Sequence, residues 1–158
     1  MGRIVGGVEV APGELPFQIA LLYYGELLCG GSIYNEEWIV TAAHCAVYAS
    51  STLAYSIRAG VHNLRFPEDD SQVRNVALNF VHEDYSSSGY GNDIAIMKLE
   101  TPLTLSPANR TGSVPLAKAG TAISGDLQVS GWGRLDSGGL LPAKLRAVKV
   151  PYVDDDAW

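Results

Sequence analysis

The chain has no apolar run approaching the length of about 18 residues that a membrane-spanning helix needs, and no Lys/Arg cluster beyond Lys144–Lys149. Basic residues number 11 against 17 acidic ones, a net charge of −6, which speaks against a nucleic-acid partner. The N-terminus lacks a charged start followed by an apolar stretch, so it does not read as a signal peptide. Myristoylation at Gly2 is excluded because Gly6 stands where that motif wants Ser or Thr. Charged residues are sparse at 18% and hydrophobic ones make up 47%, a balance that excludes disorder. At 158 residues the chain is one ordinary domain or part of a larger one, and can bury roughly 70% of its unfolded surface.

Cysteine is also scarce. Cys29 and Cys45 stand 16 positions apart, and spacing alone leaves open whether they are separate buried thiols or a pair. A crosslink over such a loop contributes about 3 kcal/mol in the chain-entropy model and requires an oxidising compartment.

What the chain does contain is a series of short runs rich in Val, Ile, Tyr and Leu: Phe17–Tyr24, Gly31–Tyr34, Trp38–Thr41, Tyr55–Ala59, Val73–Val81, Asp93–Leu99, Asp126–Trp132 and Lys144–Val153. Gly, Pro, Ser and Asn separate them, which predicts an all-β sandwich or barrel. In Asp93–Leu99 the residues Ile94, Ile96 and the stem of Lys98 share one side of the strand. Only Glu36–Ala46 offers a turn of helix. Leu103–Gly125, with Gly112, Gly120, Pro107 and Pro115, reads as a linker between two β units.

Three segments carry potential chemistry: Arg3-Ile4-Val5-Gly6-Gly7, Thr41-Ala42-Ala43-His44-Cys45 after Cys29-Gly30-Gly31-Ser32, and Asn92-Asp93-Ile94-Ala95-Ile96-Met97-Lys98-Leu99. Singly, His44 reads as a core or surface residue and Asp93 as a turn residue bonded to its own backbone. Together, in this order and with Gly131-Trp132-Gly133 further on, the chain from Ile4 to Val153 resembles the chymotrypsin-like (trypsin family) serine endopeptidases. The resemblance implies two antiparallel β-barrels with the active site in the cleft between them: residues 1–3 a remnant of an activation peptide, 4–105 the first barrel, and 106–158 a linker and partial second barrel. It implies His44 as general base and acid, Asp93 as the carboxylate that orients it, and a Cys29–Cys45 disulfide. Cleavage after Arg3 by an activating protease would free the Ile4 amine of a secreted zymogen. Partners would be protein or peptide substrates and protein protease inhibitors; no cofactor, metal or membrane is implied.

The family's Gly-Asp-Ser-Gly-Gly nucleophile motif is not found between Met1 and Trp158. Asp136-Ser137-Gly138-Gly139 imitates it, but Leu135 replaces the leading Gly and Leu140 the usual trailing Pro, so Ser137 reads as a turn residue. Trp158 stands where the family has a cysteine, which suggests an incomplete chain, inactive alone. The alternative is a catalytically dead homologue serving as a binding or regulatory module. His62 and His82 carry no chemical role in this reading. Glu68, Asp69 and Asp70 resemble a calcium loop, but Val61 at the first ligand position cannot coordinate a hard cation, so these acids read as a solvated face. Asn109-Arg110-Thr111 is a glycosylation sequon.

Overall fold

A computed structural model describes residues 7–89, 91–133 and 143–154. Among these the chain forms nine strands: β1 (Val8–Glu9), β2 (Gln18–Tyr23), β3 (Glu26–Ile33), β4 (Trp38–Thr41), β5 (Tyr55–Ala59), β6 (Gln72–Val81), β7 (Ala95–Leu99), β8 (Asp126–Gly131) and β9 (Arg146–Pro151). One short helix, α1 (Ala43–Ala46), follows β4. Strands β2-β3-β4-β7-β6-β5 close into an antiparallel barrel, and β1-β9-β8 form a three-stranded sheet. This is the all-β, chymotrypsin-like arrangement expected, with the first barrel closed and the second partly present.

The apolar pattern of β2 explains how the two units join. Ile19 and Leu21 face into the barrel with Ile33, Ile39, Ile57 and Met97. Ala20 and Leu22 point the other way and pack with Val61, which follows β5, and with Val10, Trp132, Leu145 and Ala147 in and beside the strands of the second sheet. Continuous apolar residues therefore mark a strand buried on both faces. A two-residue turn at Tyr24 (φ 45°) and Gly25 (φ 83°) matches the twist of the β2–β3 hairpin.

Strand β3 starts five residues earlier than the sequence predicts, at Glu26 rather than Gly31. Cys29, Gly30 and Gly31 pair directly with Leu21, Ala20 and Ile19, so these glycines continue the strand. A Cβ on Gly31 would lie 2.8 Å from Ile19 Cδ1 and 3.0 Å from the Val40 carbonyl; close strand packing demands Gly there, which sequence alone reads as a break. In β7 the residues that face the core are Ala95, Met97 and Leu99, while Ile94 and Ile96 are exposed. Strand β1 pairs with β9 at Val8↔Ala147 and Glu9↔Arg146, carrying the N-terminal segment across to the second sheet.

Candidate active site

His44 and Asp93 lie 49 residues apart in sequence, and the sheet register brings them together. Strands β4 and β7 pair with Thr41 opposite Ala95. The chain leaving β4 at Thr41 and the chain entering β7 at Ala95 therefore meet at the same edge of the barrel. Helix α1 begins there, and its N-cap residue, Ala42, has no side chain able to cap it. The orphan N–H groups of a helix start need an acceptor, and Asp93 supplies one: its Oδ1 accepts the His44 backbone N–H at 2.8 Å. The other carboxylate oxygen, Oδ2, lies 2.6 Å from His44 Nδ1. Before β7, Asn92 adopts φ 56°, and the Ile94 N–H donates to the Asn92 carbonyl at 2.8 Å. This turn presents Asp93 out of the strand, which is why β7 begins two residues later than Asp93–Leu99 predicts.

These hydrogen bonds, first from the His44 amide and then from its imidazole, hold the Asp93 carboxyl below the usual carboxylate range. An ionised acceptor at Nδ1 keeps the proton on that nitrogen and leaves the Nε2 lone pair as a base. The side chains retain 56% and 42% of their exposure, so the imidazole is open to a second reactant. The arrangement is an oriented proton acceptor with a carboxylate to stabilise its cationic form.

The helix carrying His44 is held from behind. Cys45 is bonded to Cys29 of β3, with Cα atoms 6.4 Å apart, so the pairing left open by spacing is realised. The Tyr55 hydroxyl lies 2.7 Å from the Cys45 carbonyl and 3.0 Å from that of Ala46, and accepts the Ala49 N–H at 2.8 Å. Asn79 Nδ2 donates to the same Ala46 carbonyl at 2.8 Å. Tyr55 and Asn79 escape sequence reasoning, because a Tyr or Asn in a strand carries no mark of serving a helix 9 to 33 residues away. Cys29, Cys45 and His44 place donor atoms within 4.8 Å of one another, but sulfurs bonded to each other offer no thiolate to a metal.

Other sequence expectations resolve differently. Arg3, Ile4 and Ser137 lie outside the described residues. Glu68 does not belong to a solvated face: it accepts the N–H groups of His62 at 3.0 Å and Asn63 at 3.2 Å. Burial works against its charge, yet the amides of His62, of Glu68 itself and of Asn63, with Arg110 beyond them, hold its carboxyl below the ordinary value. A carboxylate thus ties the loop from within. Asp70 pairs with Arg110, while Asp69 is exposed. In the sequon, Asn109 Nδ2 donates to the Thr104 carbonyl at 2.8 Å, and Thr111 is buried. No helix among the described residues is long and apolar enough to cross a membrane.

A family model described as Trypsin matches residues 4–157. The chain is 40% identical over 161 aligned residues to coagulation factor IX of Cavia porcellus, with 96% of this chain and 54% of that protein covered. It is 35% identical over 156 residues to trypsin of Sus scrofa, covering 98% of this chain and 64% of that protein. The chain therefore spans between about half and two thirds of the length of these relatives.

Proposed function

The chain belongs to the trypsin family, and from that premise we propose that it is the base-bearing portion of a serine endopeptidase that cleaves protein or peptide substrates through an acyl-enzyme. The observation that carries this reading is the double contact of Asp93 with His44, to its amide at 2.8 Å and to Nδ1 at 2.6 Å. A serine hydroxyl is a weak nucleophile until an adjacent base takes its proton. His44 Nε2 takes that proton and later delivers it to the leaving amine, while Asp93 fixes the tautomer and stabilises the imidazolium.

Residues 1–158 supply two of the three groups the reaction needs. The nucleophile and the amides that would stabilise the oxyanion come from elsewhere in the whole protein, and the described portion alone is inactive. Removing one oxyanion donor costs about 2.7–4 kcal/mol of transition-state stabilisation, so a chain lacking both nucleophile and donors has little left. The geometry of His44 and Asp93 favours a working enzyme over the dead homologue, since a binding module has no use for an oriented base. Activation by cleavage after Arg3 and inhibition by protein inhibitors belong to the same reading. So does export through an oxidising compartment, which the Cys29–Cys45 bond supports.

The test is to express the longest reading frame containing this chain, activate it after Arg3, and assay peptide esters and amides alongside residues 1–158 alone. Hydrolysis by the long form that His44→Ala removes, with none from residues 1–158, supports the proposal. Hydrolysis indifferent to His44→Ala overturns the assignment of the base. His44-dependent hydrolysis by residues 1–158 alone overturns the missing nucleophile.

A further inference from the structure

Where the barrel meets the second sheet there is a cavity lined by Gly13, Gln18, Gly60, His62, Arg110 and Leu145. Its neighbourhood is tightly built. The His62 carbonyl accepts the Trp132 indole N–H and the Leu145 N–H, each at 3.0 Å. Gly60 adopts φ +70°, and a Cβ there would lie 2.6 Å from the Asn109 carbonyl; only glycine lets the linker approach this loop so closely. Arg110 reaches back across the gap, donating from Nη2 to the Gly60 carbonyl at 3.2 Å and pairing with Asp70.

Two residues of this lining each carry a buried polar atom with no hydrogen-bond partner among the described residues: His62 Nδ1 and Arg110 Nε. His62 is only 6% exposed. A buried polar atom left unpaired destabilises the fold, and polar cavities hold ordered water. The cavity is small and has room for a water. A halide is disfavoured by charge, because Glu68 is hydrogen-bonded to the His62 amide, Asp70 pairs with Arg110, and Glu9 Oε1 lies 3.7 Å from His62 Nε2. Lys144, whose Nζ is 3.7 Å from the same Glu9 oxygen, is a further cation of the cluster.

We propose that this cavity is a binding site for a single neutral water, which accepts from Arg110 Nε–H and donates to His62 Nδ1. The water joins Arg110 to the loop between β5 and β6, whose His62 carbonyl accepts from Trp132 and Leu145. It also assigns the tautomer: with Nδ1 accepting, the ring proton sits on Nε2 and points toward the Glu9 carboxylate.

A crystal of the full chain, with a second crystal soaked in bromide, tests the site directly. The expected result is one ordered water within hydrogen-bond distance of both atoms and no bromide signal. Bromide bound there, or no density between the two atoms, overturns the proposal. In solution, ¹⁵N-histidine spectra are expected to report His62 as the Nε2–H form, and the Nδ1–H form overturns it. Water-¹⁷O relaxation is expected to lose one long-lived water in Arg110→Lys, which keeps a cation opposite Asp70 but has no Nε. His62→Phe serves as the second variant, with circular dichroism checking the fold of each. Unchanged relaxation in folded variants contradicts the site.

Discussion

Asp93 holds His44 at two points at once, its Oδ1 on the backbone N–H at 2.8 Å and its Oδ2 on Nδ1 at 2.6 Å. The first contact fixes the carboxylate plane and caps helix α1; the second then determines the imidazole's orientation and tautomer. Asp93→Asn keeps an acceptor for the backbone but presents an uncharged group to Nδ1. If the whole protein is the endopeptidase proposed above, its activated form is expected to lose about 10⁴-fold in kcat in this variant. Its ¹⁵N spectrum is expected to shift the His44 proton from Nδ1 toward Nε2. An unchanged tautomer together with an unchanged kcat contradicts the role given to Asp93.

Glu68 gives a pH prediction with a definite sign. Its folded-state pKa is lowered below the ordinary 4.5, so its contribution to stability is fully present above the unfolded value and is lost as pH falls through the folded one. At neutral pH, Glu68→Gln is expected to be less stable by about 1–3 kcal/mol, because the loop amides of His62 and Asn63 lose an ionised acceptor. Below pH 4.5 the gap is expected to narrow as the wild-type carboxylate protonates. Urea unfolding of both proteins between pH 3 and pH 7 measures it, and parallel curves refute it.

The Cys29–Cys45 bond closes a separation of 16 residues, which in the chain-entropy model is worth about 3 kcal/mol. The double variant Cys29→Ser, Cys45→Ala is expected to lose stability of that order, read as a lower urea midpoint with little change in slope. A midpoint equal to that of the oxidised wild type shows the bond to be dispensable.

Tyr55→Phe removes a hydroxyl in contact with the Cys45 and Ala46 carbonyls and the Ala49 N–H. The Ala49 N–H then loses its acceptor, while Asn79 still serves the Ala46 carbonyl, and the change is expected to cost about 1–3 kcal/mol. The same change loosens the far end of α1, so the amide exchange of His44 and Cys45 is expected to rise more than that of β5 itself. Uniform exchange across both elements contradicts a local role for Tyr55.

Most strand positions and the chemistry-bearing motifs were legible in the sequence. β4 and β5 have their predicted limits, because alternation of Ile, Val, Tyr and Ala over four or five residues is a local property of a half-buried strand. His44 and Asp93 were legible as motifs, since neighbouring residues mark each of them. Their meeting was legible only through the family resemblance, because it depends on the β4–β7 register, and register is a relation between distant segments. Nor could the sequence show Cys29-Gly30-Gly31 running on as strand, because the need for glycine there comes from Ile19 and Val40 pressing on it from other strands. The tertiary structure alone determined that Glu68 ties its loop, that Tyr55 and Asn79 serve the helix behind His44, and that β1 crosses to β9. Each is a hydrogen bond between groups that packing brings together, and local propensity carries no record of such partners.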